Sequence, residues 1–211
     1  MNKYDEIIKK NMPVVVVPAY EPLPQNEIGK TRFLMAREGL YIQTTPPWGT
    51  LTRIVWRSPR PLPYGAVEEE NTFVKVLDDA TNIIKSVIVP VAAKYARYGK
   101  EYAGLITWHP DGYYEHLPVD FTSTEVEISY RVPKVSNGAH IAIDIHSHGR
   151  IRPYFSTTDD ADDAGGVKIG VVLGNYRRRE GIDTFDSVIR YSVEGFHFYE
   201  MSDMEEDFDE T

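Results

Sequence analysis

Apolar residues in the first third of the chain come in short runs broken by proline: VVVV at 14–17, FLMAREGLYIQTT at 33–45 and LTRIVW at 51–56. Such runs predict small strands joined by turns. In the middle run Arg37-Glu38-Gly39 separates two β-rich halves and predicts a hairpin, with Gly39 free to adopt the left-handed backbone of a turn. The prolines and glycine of RSPRPLPYG (57–65) predict an extended connection and a domain boundary near residue 66. From Asn71 the period changes. Phe73, Val76, Leu77, Ala80, Ile83, Ile84, Val87 and Val91 follow helical spacing, the pattern of a helix with one buried stripe. Pro90 falls inside that stripe, where a missing backbone donor costs about 3 kcal/mol, so a kink or two helices ending before Gly99 are expected.

After Gly99 the chain becomes β-rich. YAGLITW, GYYEHLPV, EVEISYRV and HIAIDIHSH read as strands separated by turn residues, and KIGVVLG, SVIRYSV and GFHFYEM follow after a short acidic segment. The class is therefore α+β with a mostly β core. Three regions are expected: a proline-rich β region over 1–65, a main domain over 66–200, and an acidic tail over 201–211 that is expected to be solvated and disordered.

Composition narrows the function. The 211 residues carry a formal net charge of −9, against binding nucleic acid by phosphate neutralisation. The sequence has no cysteine, which excludes disulfides, thiolate zinc clusters and cysteine nucleophiles; a transition metal would have to be held by His, Asp or Glu. No signal peptide is visible and no apolar stretch approaches the roughly 20 residues of a spanning helix, so a cytoplasmic protein is expected.

Candidate chemistry sits in HSHGRIRPYFSTTD, residues 146–159. Strand side chains alternate faces, so His146 and His148 share a face opposite Ile141, Ile143 and Ile145. Two positions along a strand is roughly 7 Å, close enough for both imidazoles to meet one ion. Asp159 can supply a third ligand: Ser156 reads as an N-cap with acidic residues in the following turn, on a short helix ending at Gly165-Gly166. Asp160, Asp162 and Asp163 read as carboxylates serving the helix dipole and solvent. Asp144, on the histidine face, reads equally as a partner of an imidazole or as a surface residue. His109, His116, His140 and His197 fit no ligand spacing, and Arg150 and Arg152 read as a solvated loop. Trp108, Tyr113 and Tyr114 read as core aromatics rather than a peptide groove. Composition alone does not choose a proton-transfer group among the 32 carboxylates.

HSHGRIRPYFSTTD fits H-x-H-x(7)-S-x-x-D at every fixed position and resembles the signature of the JAMM metalloproteases, also called the MPN-plus or JAB1/Mov34 family. KEYAGLITW (100–108) resembles the E-x-x-G-L context in which that family carries its glutamate. The resemblance implies a cytidine-deaminase-like MPN fold with a mixed β-sheet core flanked by helices, and a Zn2+ ion held by His146, His148 and Asp159. It implies Glu101 as the base and acid that activates the metal's water, and Ser156 as the group polarising the substrate carbonyl. It implies a peptidase or isopeptidase acting at the C-terminus of a ubiquitin-like protein.

Where many members have proline after the second histidine and before the serine, this chain has Gly149 and Phe155, which predicts a more mobile loop. The variant resembles the JAMM proteins of bacterial PRTRC cassettes, implying an activating-enzyme-like partner. The alternatives are a non-catalytic MPN scaffold that docks a partner, and a zinc hydrolase of a small amide.

Overall fold

The computed structural model describes residues 2–123, 128–135 and 137–200. The expected acidic tail at 201–211 lies outside the described residues, as do the first three positions of the run EVEISYRV, whose described strand is Ile128–Tyr130. By contacts the chain forms two compact units: Met1–Asn82 with Trp108–Tyr114 and Ser136–His140, and Ile83–Thr107 with Glu115–Val135 and Ile141–Thr211. The boundary expected near residue 66 falls within the first unit.

The first unit opens with a helix that the hydrophobic pattern did not reveal, α1 (Lys3–Asn11). Its apolar residues Ile7 and Ile8 make no continuous stripe, but Asp5 and Glu6 in the first turn and Lys9 and Lys10 in the last match the helix dipole. The predicted strands follow: β1 (Val14–Val16), β2 (Thr31–Ala36), β3 (Gly39–Thr44) and β4 (Leu51–Arg57), with a short β5 (Glu70–Asn71). They form one sheet in the order β1-β2-β3-β4-β5, with β1 parallel to β2 and the other pairs antiparallel.

The β2–β3 hairpin forms where expected, turning at Arg37-Glu38. Gly39 takes a φ of +145°, but a second reason fixes it: a Cβ there would lie 2.0 Å from the Trp56 carbonyl oxygen. Val17, Leu34, Ala36 and Tyr41 form the core, with Leu23, Ile54 and Val67 packed against them. Helix α2 (Phe73–Ile83) buries Phe73, Val76 and Ala80, and Phe73 packs on Trp48 at a ring separation of 4.4 Å.

The expected break near Pro90 takes a specific form. Residues Ile84–Ile88 are a π-helical turn and α3 (Val89–Arg97) follows, with Pro90 in its first turn. The Val89 N–H bonds to the Ile84 carbonyl, one residue wider than in an α-helix. Shifting the ladder just before the proline removes the need for the donor that proline lacks.

The second unit is built on a sheet ordered β13-β12-β11-β10-β6-β7, comprising β6 (Tyr102–Trp108), β7 (Tyr114–Leu117), β10 (His140–Ser147), β11 (Val167–Arg179), β12 (Ile182–Val193) and β13 (Phe196–Tyr199). A small pair, β8 (Phe121–Ser123) with β9 (Ile128–Tyr130), stands apart from it. Strands β10 and β11 are parallel, with Ile143 opposite Ile169 and Ser147 opposite Leu173, whereas β11–β12 and β12–β13 are antiparallel. A parallel pair requires a long crossover. Here the crossover is residues 148–166, which contain α4 (Thr157–Asp162). Among the described residues, no helix is long and apolar enough to cross a membrane.

On β7, His116 Nε2 meets the Tyr102 hydroxyl at 3.1 Å, and Gly104 leaves room for that contact: a Cβ there would lie 2.4 Å from the Tyr102 oxygen. Burial lowers the His116 pKa below its usual 6.5. Below pH 6.5 the unfolded chain then takes up more protons at this position than the folded one, so its contribution to stability is lost as pH falls. His116→Gln, which cannot titrate, should flatten the decline in melting temperature from pH 6.5 downward, measured with chelator present; an unchanged slope would show that His116 does not carry it.

Candidate metal centre

The carboxyl end of β10 delivers the two histidines. His146 is buried at 8 % exposure and His148 follows immediately after the strand, partly exposed. Their Nε2 atoms stand 3.3 Å apart, and His146 Nε2 is 3.6 Å from Asp159 Oδ1. All three donor atoms lie within 4.8 Å of one another. Ligands about 2.0–2.1 Å from a tetrahedral ion are separated by about 3.3 Å, so two of these spacings are close to those of such a site.

The local structure prepares each donor. A carbonyl only accepts, so the 3.4 Å approach of His148 Nδ1 to the Arg152 carbonyl places the ring proton on Nδ1 and leaves Nε2 with its lone pair. Burial lowers the pKa of His146, against the pull of Asp159; burial, then the neighbouring His146, does the same to His148. Both rings are thereby biased to the neutral form that binds metal.

Ser156 is the N-cap of α4 in a reciprocal box: its Oγ accepts from the Asp159 N–H at 3.2 Å, while Asp159 Oδ2 accepts from the Ser156 N–H and hydroxyl at 2.6 Å each. One oxygen of Asp159 is held by the cap. The other, Oδ1, turns to His146.

Glu101 reaches the same place from another element. After α3 the chain reverses through Gly99 (φ +67°), with Lys100 N–H bonded to the Tyr95 carbonyl, and Glu101 enters at the start of β6, 5 % exposed. Gly149, next to His148, sits over this turn: a Cβ on it would be 3.7 Å from the Lys100 carbonyl. Glu101, His146, His148, Ser156 and Asp159 all line one cavity of about 380 Å³, so the five residues singled out in the sequence are brought together.

The loop between the ligands is tied down more firmly than its departures from the family pattern predict. Strand β11 has a bulge at Asn175 and Tyr176, where its register with β12 shifts and Asn175 takes a φ of +50°. The N–H groups of these two residues turn to the loop instead, bonding to the carbonyls of Ile151 at 2.7 Å and Gly149 at 2.9 Å. His148 N–H bonds to the Leu173 carbonyl at 2.8 Å.

Three sequence expectations change. Asp163 is not a solvated helix carboxylate: it is 4 % exposed and bonded to Arg190, Lys168 and Ser192, and Asp160 also pairs with Arg190. Burial would raise the Asp163 pKa, but Lys168, Arg190 and Ser192 together hold it below the usual range. Asp144 serves neither imidazole nor open surface. Its oxygens accept from the Tyr130 hydroxyl at 2.6 Å and Lys168 Nζ at 2.9 Å. Tyr130 and Lys168, which spacing did not suggest, line the same cavity. Arg190, also unanticipated, carried one visible signal: a charged residue inside the otherwise β-forming run SVIRYSV. The other histidines are occupied elsewhere, His109 stacked on Tyr113, His140 near Trp108, and His197 against Ser192.

Comparison with known proteins agrees with this geometry. Residues 2–74 match a domain of unknown function, DUF2016. A search of curated proteins gave no match. Residues 87–187 match the family of prokaryotic homologs of the JAB domain, a span that contains all five site residues within a mixed α+β fold. Residues 87–187 are thus a prokaryotic JAB-type domain, preceded by a β-rich N-terminal region.

Proposed function

We propose that the protein is a zinc-dependent peptidase or isopeptidase that hydrolyses the amide bond following the C-terminus of a ubiquitin-like protein. The observation that carries this reading is the convergence of two neutral-biased imidazoles, a carboxylate oxygen and Glu101 on one cavity. His146, His148 and Asp159 would hold the ion, and a donor set of two nitrogens and one oxygen suits zinc. When bound, zinc supplies a Lewis acid for the carbonyl and for water. Glu101 takes a proton from the attacking water as its oxygen adds to the carbonyl carbon, then returns a proton to the amine as the C–N bond breaks. The Ser156 hydroxyl, now directed to Asp159 Oδ2, polarises the carbonyl oxygen by turning its proton outward. An activating-enzyme-like protein that loads the same modifier is the proposed partner.

The purified protein should take up one zinc per chain and release amine from ubiquitin-like fusions with a C-terminal peptide extension. Excess chelator should abolish cleavage and added zinc restore it. A zinc-loaded protein that cleaves neither such fusions nor a Gly-Gly peptide amide would instead be a scaffold.

A further inference from the structure

Arg190 lies in the middle of β12 with no exposed surface, an expensive place for a cation. Besides a hydrogen bond to Tyr199 at the end of β13, its guanidinium makes three contacts with the segment that carries Asp159. Nη1 donates to Asp160 Oδ1, Nη2 donates to Asp163 Oδ2 at 2.6 Å, and Cζ stands 3.8 Å over the ring of Phe155. These partners flank the metal ligand on its helix. Asp160 is the next residue, and the Asp163 N–H closes back on the Asp159 carbonyl at 2.9 Å. Phe155 precedes the Ser156 cap and presents its edge to His146 at a ring separation of 6.3 Å. Its opposite support is Gly170 on β11, where a Cβ would come within 2.9 Å of the ring.

Helix α4 runs only from Thr157 to Asp162 and buries none of its residues, so it has no apolar face to fix it to the sheet. Something else must set the position of Asp159. Burial would lower the Arg190 pKa, but the hydrogen bonds it donates to Asp163, Tyr199 and Asp160 more than offset this and keep the charge. Phe155 is also one of the positions where this chain departs from the pattern its motif resembles. A flat ring there gives the guanidinium a surface to stack on.

We infer that Arg190 is a positioning residue for the metal centre, clamping α4 through Asp160 and Asp163 and stacking on Phe155 so that Asp159 meets His146 and His148. The inference rests on the metal-binding reading of the site, though not on any substrate. Two variants separate the clamp from folding. Arg190→Met keeps the length and removes the charge. Asp160→Asn touches only the half-exposed partner, so it leaves the buried Asp163 paired with Lys168 and Ser192.

The probes are Zn2+, titrated against a chromophoric chelator, and Co2+, whose visible absorption reports coordination geometry. Each variant that folds by circular dichroism should bind Zn2+ about 10–100-fold more weakly than the parent, the range expected when a ligand loses its outer support. The Co2+ bands should weaken as Asp159 loosens, and the double variant should be no worse than Arg190→Met alone. If Arg190→Met does not fold, Asp160→Asn decides. Parent-like Zn2+ affinity and Co2+ bands in the folded variants would overturn the clamp. A parent protein that takes up neither ion would instead overturn the metal centre itself.

Discussion

Replacing Glu101 by glutamine should lower amide hydrolysis by about 10²–10⁴-fold while leaving zinc uptake unchanged, since proton transfer by a positioned group contributes on that scale. The substitution preserves volume and hydrogen-bonding capacity at a position only 5 % exposed, so the fold has no reason to yield. What it removes is the ability to take a proton and give it back. Glu101 enters the cavity from the start of β6, whereas the three candidate ligands come from β10 and α4; the metal site can therefore stay whole while the proton carrier is lost. Steady-state kcat/KM on a fusion substrate, together with zinc content by elemental analysis, separates the two. Turnover within about tenfold of the parent would assign the proton transfer elsewhere. Loss of zinc along with activity would make Glu101 part of the ligand shell.

The strands of the second unit were legible because short apolar, β-rich runs bounded by turn residues are a local signal, and the two-residue alternation of HIAIDIHSH also set the shared face of His146 and His148. The Ser156 cap was legible because a short polar side chain before acidic residues has a local use for its oxygen. Residues whose roles depend on distant partners were not legible. Asp160 and Asp163 looked like solvent-facing helix carboxylates because their neighbour Arg190 is about thirty residues away in sequence. Strand β11 reaches Arg179 and β12 starts at Ile182, beyond the apolar runs, because a hairpin through Glu180 and Gly181 (φ +51° and +84°) pairs charged residues in solvent as readily as apolar ones in the core. The mobile loop expected from Gly149 and Phe155 reflects the same limit: its restraint comes from a β11 bulge that no local pattern announces.

That restraint makes Gly174→Ala the most disruptive small substitution in the second unit. Gly174 sits on β11 just before the bulge, where the loop crosses it in backbone-to-backbone contact. An added Cβ would lie 2.4 Å from Pro153 N, 2.5 Å from the Ile151 carbonyl oxygen and 2.7 Å from the Arg152 carbonyl carbon. No side-chain rotation relieves such a clash, so either the strand or the loop must move. The strand is held on both edges, by β10 and by β12, and the loop is the softer element. Displacing it breaks the Asn175 N–H bond to Ile151 and withdraws the Arg152 carbonyl from His148 Nδ1. The imidazole then loses the contact that keeps its proton off Nε2. The alanine variant should melt lower by an amount matching about 1–3 kcal/mol, the usual cost of overpacking. It should also bind zinc about tenfold or more weakly, as when a ligand loses its supporting bond. Parent-like melting and zinc affinity would mean that the loop does not bear on β11 as closely as these contacts require. Lower melting with unchanged affinity would instead separate the packing of the loop from the tautomer of His148.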